Sequence, residues 1–181
     1  MKTKINPSLK VRKTDKKILT FILLNLFLLT SALTFAQKPN YAGDWNLNEG
    51  KSQLGEGGRG RMAANKLKIT QDANAIVLER TSKRQTGEEF TSKETITLDG
   101  KECENTLMEN RTRKSTANWS ADGKSLTISS SSVFERDGNK MEMKSVEIFK
   151  LSDDGSTLSI DATSTSPRGD RKQTLAYDKA K

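Results

Sequence analysis

The chain has 181 residues with 31 Lys/Arg, 23 Asp/Glu and no histidine, which gives a formal net charge of +8. The absence of histidine excludes an imidazole base, a Ser-His-Asp triad and a histidine-bearing metal site. The single cysteine, Cys103, excludes an internal disulfide and, without a histidine partner, a conventional catalytic thiol. We therefore expect a protein that is not an enzyme and has no cofactor.

The first 36 residues have the pattern of a secretory signal peptide. Met1–Lys17 is basic, Ile18–Phe35 is dominated by Leu, Ile and Phe, and Thr34 and Ala36 are the small residues that precede a cleavage site. An uncleaved membrane anchor is the alternative, because the apolar run approaches the length of a span, but Asn25 and the Thr and Ser content weigh against it. We expect cleavage after Ala36, export to the periplasm or the medium, and no stable membrane insertion afterwards.

The basic charge of the chain belongs mostly to this leader. The leader holds seven of the 31 Lys/Arg and one of the 23 Asp/Glu, so residues 37–181 carry a net charge of +2. This balance gives no reason to expect a nucleic-acid partner. The 145 remaining residues suit one domain, 37–181, and the sequence leaves its oligomeric state open.

A first strand, Tyr41–Leu47, precedes a long loop, Asn48–Asn65. The loop contains five glycines, too many for the interior of a strand or helix. It lacks the Lys-Ser/Thr ending and the following helix of a phosphate-binding loop. We interpret it as a flexible connection.

From Lys66 nearly to the C-terminus, apolar and polar residues alternate with the period of a β-strand. The stretch Trp119–Ile128 recurs in altered form as Leu151–Ile160, and each copy carries an Asp-Gly pair, the signal of a tight hairpin. A further Asp-Gly pair, at residues 99–100, predicts a third hairpin, before a weak strand near residues 102–108. In all, the pattern predicts ten strands.

Only Met141–Leu151 breaks the alternation. Val146 and Ile148 fall on the face opposite to Phe149 and to the methionines of the same strand. We expect either a bulge near Lys144 or a strand that is partly covered on both faces.

Strand parity separates two ends of the predicted structure, because in a meander one strand ends at the edge where the next begins. Large apolar side chains, Trp45 and Trp119 among them, gather at one end, and serines and arginines gather at the other. This segregation predicts an all-β, antiparallel up-and-down barrel of about 8–10 strands, closed at one end and open at the other. With ten strands, the first and last can pair and leave no free edge.

Gly43-Asp44-Trp45 is similar to the Gly-x-Trp motif of the first lipocalin strand. Together with Leu47-Asn48, Lys51-Ser52 and the Asp-Gly hairpins, it makes residues 41–179 resemble a bacterial lipocalin-like (calycin) domain. The chain departs from classical lipocalins in having ten predicted strands instead of eight, no disulfide and no recognisable C-terminal helix. The resemblance implies that Trp45 packs across the barrel floor and that the domain binds a small molecule.

Seven residues predicted to face inward form the candidate ligand-binding site, with Phe90 and Met143 as further apolar wall. They are Arg80, Glu94, Arg113, Ser115, Ser130, Ser132 and Phe134. The charged members form either an internal ion-pair network, the commoner arrangement for interior charges, or a network with one arginine left over for an anionic group. Two functions follow: a carrier of a small amphipathic or anionic molecule, held at the polar mouth, or a non-enzymatic structural or protein-interaction barrel with a filled interior.

Overall fold

The computed structural model describes residues 37–54, 63–84, 86–108, 111–136, 138–167 and 169–181. The predicted signal peptide, residues 1–36, and the glycine-rich centre of the first loop, residues 55–62, lie outside this part of the chain.

The described residues form ten antiparallel strands and, after the first strand, one turn of 3-10 helix, Glu49–Lys51. The strands are β1 (Gly43–Leu47), β2 (Lys66–Gln71), β3 (Ala75–Lys83), β4 (Glu89–Thr97), β5 (Cys103–Met108), β6 (Arg111–Trp119), β7 (Ser125–Arg136), β8 (Asn139–Leu151), β9 (Thr157–Ser166) and β10 (Gly169–Lys179). Their order in the sheet is β4-β3-β2-β1-β10-β9-β8-β7-β6-β5. The predicted all-β, up-and-down barrel is confirmed.

The first and last strands pair, as expected, but the expectation that no free edge remains is wrong, because among the described residues β4 and β5 form the two edges of the sheet. β1 runs antiparallel to β10, with Trp45 opposite Lys179 and Leu47 opposite Tyr177. This pairing joins the two ends of the meander in one continuous sheet.

A seam separates β4 from β5, and the hairpin predicted there is wrong in one respect. The Asp-Gly turn exists, with Gly100 at φ +78°, but among the described residues the two strands share no backbone ladder. Side chains of β5 take the place of the ladder. The Asn105 amide donates to the Thr95 carbonyl at 3.0 Å and its oxygen accepts from the Thr95 amide at 2.8 Å. Nearby, the half-buried Cys103 Sγ accepts from the Thr97 amide at 3.3 Å.

Strand β8 is regular, and the bulge expected near Lys144 is wrong. Its register with β7 is unbroken from Asn139 to Lys150. Val146, 38% exposed, lies on the outer face, and Glu147, 8% exposed, lies on the inner face. Ile148 is half-buried on the outer face, so the other alternative, a strand partly covered on both faces, describes β8 better, and its inner face accepts a charge.

The closed end is filled with apolar side chains, as predicted. Trp45, Ile76, Leu126, Phe149 and Ile160 are at most 1% exposed. Tyr41, expected to begin the first strand, instead precedes β1 and plugs this end. Its hydroxyl donates to the Phe149 carbonyl at 2.9 Å, and its ring stacks on Trp119 with 6.0 Å between centroids. Burial raises the pKa of Tyr41 to about 12.

The two copies of the repeated stretch fold alike. Ser120 Oγ donates to Asp122 and Ser152 Oγ donates to Asp154, each at 2.6 Å. The glycine after each aspartate has a φ of +70° or +68°, a conformation that glycine adopts without steric cost. The serine hydrogen bonds lower the pKa of both aspartates, that of Asp154 to about 2.

The described ends of the loop between β1 and β2 are docked on neighbouring strands, which corrects their interpretation as a flexible connection. Gln53 and Thr174 exchange two backbone hydrogen bonds of 2.7 and 2.9 Å. The buried Tyr177 hydroxyl donates to the Ala64 carbonyl at 3.0 Å, and the Asn65 backbone amide donates to the Thr81 carbonyl at 2.8 Å. The described ends of the loop therefore lie towards the polar end of the barrel.

Candidate binding site

The register of β6, β7 and β8 arranges the inward-facing residues in rows that descend from the polar mouth towards the apolar floor. The rows are Arg111, Phe134 and Met141; then Arg113, Ser132 and Met143; then Ser115, Ser130 and Ser145; then Ala117, Ile128 and Glu147. Below them lie Trp119, Leu126 and Phe149. Polar and apolar levels are therefore stacked along the barrel axis.

Four charged side chains, which we call the charged cluster, bridge the lumen: Arg80 on β3, Glu94 on β4, Arg113 on β6 and Glu147 on β8. Arg80 binds the Glu147 carboxylate through both terminal nitrogens at 3.0 and 2.9 Å. Arg113 lies 3.3 Å from Glu147 and 3.1 Å from Glu94. Two positive and two negative charges balance within the cluster.

Burial and mutual attraction set the electrostatics of the cluster. The side chain of Glu94 is 1% exposed and that of Glu147 is 11% exposed. Burial alone would raise the pKa of Glu147, but Arg80 and Arg113 outweigh it and hold this pKa below its usual value. Burial likewise opposes the charge on Arg80, but Glu147 and Glu94 more than compensate, so its pKa is raised. The ion pairs therefore favour the charged forms of Glu147 and Arg80.

Sequence reasoning missed Glu147. It placed Glu94 alone inside, because the hydropathy of Val146 and Ile148 suggested a change of phase along β8. The odd-numbered residues of that strand do keep a strict two-residue period if one charge is accepted among them. Charge balance was the available signal, since two buried arginines need two carboxylates.

The predicted serines and Phe134 lie around the cluster. Ser115 and Ser130 are buried and hydrogen-bond each other, with 2.9 Å between their Oγ atoms. Ser132 is 2% exposed, and Phe134 is half-buried in the uppermost row. The structure thus brings all seven predicted residues to the inner face, with Arg80, Glu94 and Arg113 already paired with protein groups.

A third inward-facing arginine, Arg111, was not predicted. Its guanidinium lies over the Phe134 ring, 5.5 Å from the centroid. Its Nε is buried without a hydrogen-bond partner, and no carboxylate of the described residues forms an ion pair with it. Burial lowers the pKa of Arg111 and the neighbouring charge of Arg113 lowers it further, while the more distant charge of Glu94 offsets only part of the decrease.

Other features of the described residues lie apart from the mouth. A cavity of about 260 Å³ sits against the outer face of β1–β4, lined mainly by outward-facing residues such as Lys66, Lys68 and Glu79.

Within the described ranges no group of His, Cys, Asp or Glu residues is arranged to hold a metal ion. In that same part of the chain no helix has the length and apolar character needed to cross a membrane.

Comparison with known proteins gives a similarity of shape only. No protein-family model matches the sequence, and no curated protein matches it. Among solved structures, the barrel is similar to a crystal structure of zebrafish ileal bile acid-binding protein complexed with cholic acid, with 17% identity and a TM-score of 0.48, covering 77% of this chain and 98% of that one. A likeness of this degree carries no information about ligand or site, so the fold described above rests on the strands of this chain.

Proposed function

We propose that this chain is an exported barrel that binds a small amphipathic or anionic molecule at its polar mouth, in the manner suggested by its resemblance to bacterial lipocalin-like domains. The observation that supports the proposal is the division of the interior. An apolar floor lies lowest, the charged cluster and the buried serines occupy the rows from Glu147 up to Arg113, and Arg111, Phe134 and Met141 line the row above them. Polar groups beside aromatic and apolar surface are typical of ligand sites.

In this proposal the charged cluster forms the base of the site and does not itself bind the anionic group of the ligand. Arg80 and Arg113 are already neutralised by Glu94 and Glu147 at 2.9–3.9 Å. An additional anion at that depth would have to displace a buried carboxylate. The ligand therefore sits above the cluster, in the row of Phe134 and Met141.

The alternative function is a structural or protein-interaction barrel whose own side chains fill the interior. The burial of Ser115 and Ser132, 1% and 2% exposed, favours it. The two functions differ in one measurable property, because only the carrier takes up a molecule at the mouth. Neither assigns a catalytic step to the chain, which has no histidine.

A matched pair of tryptophan variants tests the carrier. Ser82, half-buried on the inner face of β3 one step above Arg80 and opposite Phe90, and the adjacent Lys83, exposed on the outer face, receive the same substitution. The probe is anilinonaphthalene sulfonate, a fluorescent anion with an apolar body. We expect saturable binding of one probe per chain by the wild type and by Lys83→Trp, and its loss in Ser82→Trp.

Cooperative thermal melts of both variants exclude binding by a loosened core, which also takes up this probe. Equal binding by the two variants contradicts a site inside the mouth. Absence of binding by the wild type supports the filled barrel.

A further inference from the structure

We propose that Arg111 and Phe134 form an anchoring site for the carboxylate of a singly charged molecule with a compact apolar body. The inference rests on the proposed function and assigns that function an anchor and a ligand class.

Charge balance singles out Arg111. Among the buried and half-buried inward-facing residues that the structure describes, the arginines at 80, 111 and 113 face two glutamates, at 94 and 147. The glutamates lie within ion-pair distance of the lower two arginines only. A partly buried charge without a counter-charge is costly unless something else pairs with it. One monoanion makes this set of side chains neutral.

The geometry around Arg111 is that of an anchor held in place before a ligand arrives. The guanidinium lies over the Phe134 ring, 5.5 Å from the centroid, and its Nε is already buried. Met141 lies opposite Phe134 in the register, so apolar surface continues beside the charge. Repulsion from Arg113, two residues along β6, adds to the gain when an anion arrives.

The same geometry selects the class of ligand. A guanidinium presents parallel N–H groups that match the two oxygens of a carboxylate. The single unmatched charge favours a monoanion over a phosphate monoester, which carries close to two charges at neutral pH. The charged cluster begins one row lower, at Arg113, so the apolar body lies across the mouth against Phe134 and Met141. A compact body fits this space better than a long chain directed inwards.

The experiment compares three probes that share one ring system: naphthoate, the uncharged naphthalenemethanol, and naphthyl phosphate. Affinities are measured by calorimetry for the wild type, Arg111→Gln and Arg111→Lys. The control is Arg84→Gln. Arg84 also lies over a phenylalanine, 5.5 Å from the Phe90 centroid, but its guanidinium is exposed and pairs with Glu88 at 3.1 Å. The two glutamine variants therefore remove the same charge and the same type of stacking contact.

We expect Arg111→Gln to weaken naphthoate binding about tenfold to a hundredfold, the effect of one lost charge-assisted contact. Naphthalenemethanol binding should change by less than about threefold, because it depends on the apolar surface alone. Arg111→Lys should fall between, since it keeps the charge and loses the planar fork. Arg84→Gln should match the wild type with every probe.

Each other outcome overturns a defined part of the inference. If the wild type binds naphthoate and Arg111→Gln and Arg111→Lys, both folded by thermal melt, bind it equally well, Arg111 is not the anchor and the proposed function stands. If the wild type prefers naphthyl phosphate, the carboxylate class is wrong. If the wild type binds none of the three probes, the inference and the carrier function fail together.

Discussion

Removal of one carboxylate from the charged cluster is the most direct test of how the barrel interior is stabilised. Glu147 accepts two hydrogen bonds from Arg80, at 2.9 and 3.0 Å, and a third from Arg113 at 3.3 Å. In Glu147→Gln the two buried guanidiniums share Glu94 alone. Removing one partner of a buried pair costs about 3–5 kcal/mol, because the remaining charge stays buried and uncompensated. We expect the free energy of unfolding to fall by that amount.

Urea denaturation measures the loss. With a slope near 2 kcal/mol per molar urea, ordinary for a small domain, the midpoint should fall by about 2 M. Glu142→Gln is the matched control on the same strand, since the Glu142 side chain is 52% exposed and lies 3.6 Å from Lys144. A surface pair of this kind contributes less than about 1 kcal/mol.

A paired variant separates charge from packing. Arg80→Met with Glu147→Met removes one charge of each sign and leaves Arg113 with Glu94, 3.1 Å apart. Replacing a buried ion pair by apolar side chains is often neutral or stabilising, so this variant should unfold within about 2 kcal/mol of the wild type. The reasoning is refuted if Glu147→Gln behaves like Glu142→Gln, or if the paired variant is as unstable as Glu147→Gln.

Three further predictions address pH, packing and processing. The pKa of Glu147 is lower in the folded than in the unfolded chain, so its stabilising effect is complete above the unfolded value near 4.3 and is lost as the pH falls through the folded value. The urea midpoint of the wild type should therefore fall as the pH is lowered below about 4, and the midpoint of Glu147→Gln should fall less steeply. An equal pH dependence of the two midpoints contradicts this role of Glu147. Trp45→Ala should cost about 3–5 kcal/mol, because the side chain is 1% exposed and Nε1 donates to the Tyr41 carbonyl at 3.0 Å; an unchanged urea midpoint rejects its place in the floor. Intact mass of the exported protein should correspond to a chain that begins at Gln37, and retention of residues 18–35 contradicts cleavage after Ala36.

The sequence was sufficient for the strands and turns because their signals are local. Alternation fixes which side chains share a face, and Asp122-Gly123 with Asp154-Gly155 fixes two of the turns through contacts within a few residues. One local signal was nevertheless misleading. On β8, hydropathy ranked Val146 above Glu147 for the interior, although a charge with partners on other strands is stable there.

The seam and the unmatched charge of Arg111 at the mouth could not be predicted, because both depend on contacts between distant strands. Nothing in the residues that follow the Asp-Gly turn shows that the Asn105 side chain will hydrogen-bond the backbone amide and carbonyl of Thr95. Arg111 shares the parity of Arg113, but its significance appears only when the partners of every other inward-facing charge are known. Charge pairing is a property of the assembled barrel, whereas alternation is a property of each strand.

The interior charges have two separate consequences, ordered by depth. Glu94 on β4 and Arg113 on β6 lie on opposite sides of the seam, 3.1 Å apart, so this ion pair, together with the hydrogen bonds of Asn105 and Cys103, bridges the gap in the backbone ladder. Arg111 lies on the same strand as Arg113, nearer the mouth, and repels it. An anion bound at Arg111 lessens this repulsion next to the closing ion pair, and a ligand that binds only the folded chain stabilises it in proportion to its occupancy. The balanced inner charges therefore help to close the barrel, and the unmatched outer charge is the one available to a ligand.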